Sequence, residues 1–359
     1  MSEVQTKKIE IDALPIEQHE RKHIYNGLEL IRSFNDEREY LLFPFILRSC
    51  VMAVVGVPDA GKSQFARSLS LHVVGVKVEF LGMSLTAKNK KVLYVCTEDD
   101  EQATKFLVQK QGESLGLVPE QLENIRFLFA GETSTEELLQ LIRDEIERES
   151  IDLLVLDSYG DIHIGEQNSN GDMRNTLKPI SNISRKYNCA VLILHHLTKA
   201  GYNLTPSQQH VSGGAGFVQK VRAVLDMRNG EGNTKYLTCT KGNFVSRKYK
   251  ETAIELIFNE DTFLFESTGN NVPLSELAIE QQSTPKVLIE WTELFTNTSK
   301  EYSAQDVETW LNSRYRLKKT QANKYMRSAV DSDVLGKQRS GIQVLYKLYQ
   351  GEPSEEIPF

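Results

Sequence analysis

An apolar run that ends in a glycine-framed turn and restarts as a helix constrains this chain more than any other feature. Residues 50–74 read CVMAVVGVPDAGKSQFARSLSLHVV. Val51–Gly56 has the β-branched, apolar character of a strand buried on both faces, and Lys62–Val74 has helical spacing. Between them, Gly56-Val57-Pro58-Asp59-Ala60-Gly61-Lys62-Ser63 matches the Walker A pattern at every fixed position. Glycines there let backbone N–H groups turn inward around phosphates, and the helix N-terminus adds the positive end of its dipole. Lys62 is expected to reach the β- and γ-phosphates and Ser63 to ligate Mg²⁺, within a nucleotide-binding stretch that runs on to Gln64. The cofactors implied are ATP and Mg²⁺.

The same alternation of strand and helix continues. Strands are expected at Lys91–Thr97, Ile125–Ala130, Leu153–Asp157 and Ala190–His195, with helices at Asp99–Leu115, Ser134–Arg148 and Asp172–Tyr187. Ala223–Arg228, Lys235–Lys241, Thr252–Phe258 and Thr262–Glu266 then read as a run of antiparallel strands, turning at Asn229-Gly230-Glu231-Gly232. The fold class is therefore α/β, a mostly parallel twisted sheet extended by antiparallel strands. Ile151–Asp157 is an apolar strand ending in a carboxylate, so Asp157 is the expected second metal group beside Ser63. A parallel sheet gathers its strand ends around one crevice, which makes Glu98 the expected base for the attacking water; Asp99 and Asp100 suit the first turn of the next helix.

A chain of 359 residues has room for a large domain and a small one. Residues 1–45 read as an arm or adaptor, 46–268 as the ATPase domain and 269–285 as a linker. Residues 286–349 read as a small α+β domain and 350–359 as a disordered acidic tail. In the small domain, three short helices at Lys286–Thr296, Ala304–Arg314 and Lys319–Ser328 precede a β-wing over Val334–Leu348, the outline of a winged helix. Its core is expected to hold Trp291, Leu294, Trp310, Leu311, Tyr325 and Val330. The net charge of −7 excludes a uniformly basic surface, yet residues 286–349 hold 11 Lys or Arg against 7 Asp or Glu. Arg314, Arg316, Lys318, Lys319, Lys324 and Arg327 cluster on or near the third helix, which suits duplex DNA or a protein partner. Cys50, Cys96, Cys189 and Cys239 are scattered and read as buried thiols rather than metal ligands. No run approaches the ~20 apolar residues of a membrane span, and the start lacks a secretory core, so a cytoplasmic protein is expected.

Over residues 40–250 the chain resembles the RepA-like hexameric replicative helicases within the RecA-like P-loop ATPases. The resemblance rests on Gly56–Ser63, Thr97-Glu98-Asp99, Asp157, the Asn168–Met173 segment and Leu192-Ile193-Leu194-His195-His196-Leu197-Thr198-Lys199. It implies a RecA-like core and a γ-phosphate sensor at the end of the His-His strand, His195 or His196; His196 is the expected sensor, with His195 facing the sheet. It also implies a basic finger supplied by the neighbouring subunit. Lys241, in Cys239-Thr240-Lys241-Gly242-Asn243-Phe244, matches its lysine, while Asn243 stands where a second basic residue is often found, leaving Arg247 to substitute. A finger in trans makes the active species a ring, a homo-oligomer and by resemblance a hexamer.

In such rings the loops after the Asp157 strand and the His strand face the channel, here Gly160–Asn170 and Lys199–Gly214. The second carries Lys199, Tyr202, His210 and Ser212-Gly213-Gly214, enough to hold a strand of single-stranded DNA by charge and stacking. Both loops are poor in Lys and Arg, and the first contains Asp161 and Glu166. The expected function is an ATP-driven DNA motor, a helicase of replication or a mobile element. A RecA-like switch that does not unwind DNA, or a scaffold whose assembly ATP controls, are the alternatives.

Overall fold

In this computed structural model the described residues are 24–33, 38–162, 170–202, 204–277, 289–295, 300–317, 322–323, 325–326, 329–330, 332, 334–340 and 343–348. The chain divides into two compact units, one up to Ile279 and one from Glu280.

The first unit is built on a nine-stranded sheet. Its strands, in chain order, are β1 (Val51–Gly56), β2 (Val92–Cys96), β3 (Ile125–Phe129), β4 (Leu153–Asp157), β5 (Ala190–His196), β6 (Ala223–Asn229), β7 (Thr234–Gly242), β8 (Thr252–Asn259) and β9 (Leu264–Pro273). They lie side by side in the order β9-β8-β7-β6-β1-β5-β4-β2-β3. β6, β1, β5, β4, β2 and β3 are mutually parallel, and β7, β8 and β9 add antiparallel neighbours at one edge. The first strand of the expected meander is thus a member of the parallel core: β6 pairs with β1 through Val224↔Ala53 to Met227↔Gly56. A strand read from residue pattern alone carries no sign of its neighbour's direction.

The parallel strands are apolar along their whole length because both faces are covered. In β1, Met52 and Val54 face one core, with Phe65 and Leu69 of α1 (Lys62–Val74) and Tyr94 of β2. Val51, Ala53 and Val55 face the other, with Leu138 and Ile142 of α3 (Thr135–Arg148) and Leu177 of α4 (Asn170–Lys186). Each Val, Leu, Ile, Phe or Met side chain among them contributes about 1.5–3 kcal/mol when fully buried. α3 begins at the N-cap Ser134, which with Glu137 forms a capping box. α2 (Glu101–Ser114) begins two residues later than the sequence suggests, because the Asp100 side chain caps it by accepting from Ala103 N at 2.7 Å.

Two expected boundaries shift. Residues 40–45, assigned to an arm, belong to a small hairpin (Tyr40–Leu42 with Ile46–Leu47) that buries Leu41, Leu42 and Phe45 in the core. β9 runs to Pro273, into residues expected as linker, since its backbone finds partners on β8 as far as Thr252↔Pro273. The cysteines are free, Cys50 half-buried and the others buried; burial pushes the Cys96 thiol up to about 11 and those of Cys189 and Cys239 up to about 12.

In the second unit, helix Ala304–Tyr315 opens with a Ser303–Asp306 capping box, and strands Tyr302–Ser303, Gln343–Leu348 and Leu335–Ser340 form a three-stranded antiparallel sheet. Trp291 and Leu311 are buried there, with Leu294, Trp310, Tyr325 and Val330 packed against them. Arg314 pairs with Glu293 at 2.9 Å, and Arg316 caps its helix with positive φ. Lys318, Lys319, Lys324 and Arg327 lie outside the described residues, as do Glu166 and the whole tail. Among the described residues no helix is long and apolar enough to cross a membrane.

Candidate nucleotide site

β1 ends at Gly56, and the loop to α1 turns on two positive φ angles, 58° at Asp59 and 91° at Gly61. Both glycines are also demanded by packing. A Cβ on Gly61 would sit 2.6 Å from the Phe265 ring of β9, and one on Gly56 would sit 2.6 Å from the Met227 carbonyl oxygen of β6. Lys62 Nζ donates to the Val57 carbonyl at 3.0 Å and lies 3.5 Å from that of Gly56, so its ammonium is held over the loop. Burial lowers the Lys62 pKa, and the carboxylates of Asp157, Glu98 and Asp59 work against the shift.

β4 delivers Asp157 to the start of α1. Its Oδ1 accepts from Ser63 Oγ at 3.2 Å and its Oδ2 from Tyr94 OH at 2.6 Å. Asp157 is 7% exposed. Burial raises its pKa, while the hydrogen bonds from Tyr94 and Ser63 and the Arg67 guanidinium oppose that rise. One hydroxyl and one carboxylate held together beside the P-loop fit Mg²⁺, which takes few protein ligands and shares the rest with phosphates and water. Among the described residues there is no group of three or more His, Cys, Asp and Glu side chains placed to hold a metal, and this cation needs none.

Register brings the remaining groups together. Cys96 lies opposite Asp157, and Gly56 opposite His196. Glu98, two residues past Cys96, places Oε1 3.9 Å from His196 Nε2. Burial, then the Lys62 charge, lowers the His196 pKa; Glu98 and Asp161 oppose. His195 is buried, with Nε2 3.1 Å from the Ser212 carbonyl and its ring against Tyr159 and Phe217, which lie on helical segments rather than on the sheet.

This P-loop, with its strand-borne carboxylates, stands inside a recognisable unit. Residues 27–202 match the AAA_25 family, an AAA domain. No curated protein matches the chain significantly. The AAA_25 span holds Gly56–Gln64, Glu98, Asp157 and His196, and an AAA-type domain with these groups in place supports ATP binding and ATPase activity. β6 to β9 and the second unit lie beyond it.

Within the AAA_25 span, three supports escaped the sequence reading. Tyr94 looks like a core aromatic, yet its hydroxyl is the closest partner of Asp157. Arg67, fully buried on α1, donates to Asp99 at 2.8 Å, so Asp99 ties the strand end to the P-loop helix rather than serving its own helix dipole. Thr97 Oγ1 donates to Asp161 Oδ2 at 2.6 Å and accepts from Ser158 N at 2.8 Å, linking the ends of β2 and β4. An arginine inside an apolar helix pattern was the available signal for Arg67.

Beyond the AAA_25 span, Arg228 forms a two-pronged pair with Asp226 at 2.7 and 2.9 Å and donates to the carbonyls of Gly201 and Tyr202. The β6–β7 hairpin also places Lys235 within electrostatic reach of Asp59. The two finger residues lie elsewhere. Lys241 pairs across β6 with Val224, level with Ala53, three residues before the P-loop glycine. Its ammonium donates to the carbonyls of Val218 and Val221 at the end of α5 (Gly214–Lys220). Arg247 pairs with Glu251 at 2.5 Å and its side chain is 89% exposed. Neither is drawn to the chain's own nucleotide site.

Proposed function

We propose that this protein is an ATP-hydrolysing DNA motor, a hexameric RepA-like helicase of replication or a mobile element that acts on single-stranded DNA. The observation that carries the reading is the coupling of the nucleotide groups to the segments that follow them. Asp161, just past Asp157, accepts from Thr97 and Ser158. The Lys199–Gly214 segment, just past His196, is held by Arg228 at its first turn and by an isolated bridge between Leu197 and Val211. A displacement at either strand end is therefore passed to a loop within a few residues.

Ser63 and Asp157 would hold Mg²⁺, which would supply positive charge against the phosphates. Lys62 leaves its carbonyl contacts to pair with phosphate oxygens. Glu98 accepts the proton of the attacking water, and His196, neutral at pH 7, hydrogen-bonds Glu98 or a phosphate oxygen and reports which. Lys241 or Arg247 reaches a neighbouring subunit's phosphates, and the ring is the active species. The second unit serves as a winged helix for duplex DNA or a protein partner, and the whole acts in the cytoplasm.

A second reading, a RecA-like switch that binds DNA or a partner without unwinding, draws support from the Lys199–Gly214 segment. Gly213 packs so closely on Met173 that a Cβ would lie 2.3 Å from its methyl carbon, which restrains a segment the sequence suggests is flexible. Steady-state ATP hydrolysis with and without single-stranded DNA separates the readings, with Lys62→Ala as the blank. Stimulation of several-fold, abolished in Lys62→Ala, is expected. Turnover that DNA leaves unchanged would favour the switch, and turnover retained in Lys62→Ala would remove this P-loop from catalysis.

A further inference from the structure

The opposite end of the sheet carries a feature that nucleotide hydrolysis does not use. Where β1 starts and β7 ends, a cavity of about 580 Å³ is lined by Arg38, Arg48, Lys178, Arg185, Lys220 and Arg222, together with Phe244. No carboxylate lines it among the described residues. Arg48 is neutralised by buried Asp152 at 2.7 Å; among the described residues the other five cations have no carboxylate partner in the cavity. This is unusual ground in a chain whose net charge is −7.

The cations come from separate parts of the chain. Lys178 and Arg185 are seven residues apart, two turns, and so share one face of α4, while Lys220 ends α5 and Arg222 immediately precedes β6. Arg38 enters from the segment before the N-terminal hairpin and lies 3.4 Å from the centroid of Phe244. Their fields overlap inside the cavity: Arg222, Arg38 and Arg185 all act on the Cys50 thiol at its wall. Like charges gathered on a concave surface repel one another and concentrate positive potential in the space between them, a state that an entering anion relieves.

The chemistry of the lining selects the anion. Guanidinium forks match phosphate oxygens in pairs, and three of the five cations without a carboxylate partner among the described residues are arginines. Phe244 is 40% exposed even with the Arg38 guanidinium over its ring, and the ring surface left open beside the arginines can stack on a base. The volume is that of a small-ligand pocket. We propose that this cavity binds the phosphates of a nucleotide unit, with its base against Phe244, as a second site remote from the P-loop. The unit belongs either to a nucleic-acid strand or to a free nucleotide, and the site is independent of whether the protein is a motor or a switch.

The test uses the full chain and two probes. A fluorescein-labelled oligothymidylate of about 12 nucleotides, the scale of a single-strand site, is titrated by anisotropy. Fluorescent AMP is titrated against the Lys62→Ala background, where the P-loop is weakened. Arg185→Glu with Arg222→Glu is expected to weaken the bound probe about ten-fold or more and to flatten the salt dependence by about two phosphate contacts. Its melting temperature and ATP hydrolysis without DNA should stay at the wild-type values. Arg222→Gln, which keeps most of the side-chain stem, gives a smaller loss and serves if the double variant does not fold. Loss of oligothymidylate binding that Lys199→Ala leaves intact identifies a strand as the ligand; binding of AMP alone, lost with the arginines, identifies a free nucleotide. Unchanged affinity for both probes in the arginine variants, or no binding of either by the unmutated cavity, overturns the proposal.

Discussion

The two ends of the central sheet handle charge in opposite ways. At the end where β1, β2, β4 and β5 finish, charged and polar groups engage one another: Asp157 with Ser63 and Tyr94, Arg67 with Asp99, Glu98 with His196, Asp226 with Arg228. At the other end, six cations share a cavity that no carboxylate lines among the described residues, and of these only Arg48 has a carboxylate partner there. The first arrangement is preorganised, because each group is already oriented by another and water need not be rearranged when the ligand arrives. The second is incomplete until an anion arrives. The difference shows that a net charge of −7 says little about what this protein attracts, since charge acts by region.

Removing one partner at a time from the paired end is the sharpest way to strain the comparison. Glu98→Gln has the largest expected effect. It keeps the side-chain shape but cannot take a proton, so turnover should fall about 10²- to 10⁴-fold while ATP binding survives. Loss of binding in a nucleotide-binding assay would instead make Glu98 a structural member of the network. Arg228→Met comes next. It strands the Asp226 carboxylate in a buried site and should cost about 3–5 kcal/mol, read from the urea midpoint, whereas Asp226→Leu combined with Arg228→Met should recover much of that loss. A single variant that costs nothing would mean that this pair does not secure the Lys199–Gly214 segment.

The smallest effect is a pH dependence. The His196 pKa lies below its ordinary value of 6.5 because burial and Lys62 disfavour the imidazolium. Between the two pKa values the unfolded chain binds more protons than the folded one, so this residue's contribution makes stability fall as pH drops below about 6.5. Unfolding midpoints at pH 7 and about pH 5.5 should therefore move further apart in the unmutated protein than in His196→Gln. An equal shift in both would detach His196 from the electrostatics of the P-loop.

Much of the nucleotide site was legible because its parts are local. Gly56–Ser63 is one continuous loop, and Asp157 and Glu98 each follow a recognisable apolar strand. Tyr94 and Arg67 were not legible as site residues. Their identities fit a core strand and a helix, and only the register Cys96↔Asp157 and the seating of α1 on the sheet bring them to Asp157 and Asp99. The direction of β6 was hidden for a related reason: an apolar run reports burial, not which way its neighbour points.

The sequence by itself determined the βα rhythm, the P-loop and its helix, the carboxylates at strand ends and the burial of three of the four cysteines. Each of these follows from residue spacing within one segment, where chain geometry leaves few alternatives. Tertiary structure alone decided that the hairpin at residues 40–47 is core, that Arg228 holds the start of the Lys199–Gly214 segment and that Arg38, Lys178, Arg185, Lys220 and Arg222 meet in one cavity. Those groups are separated by up to 184 residues, and only the winding of α4, α5 and β6 around a single sheet brings them together.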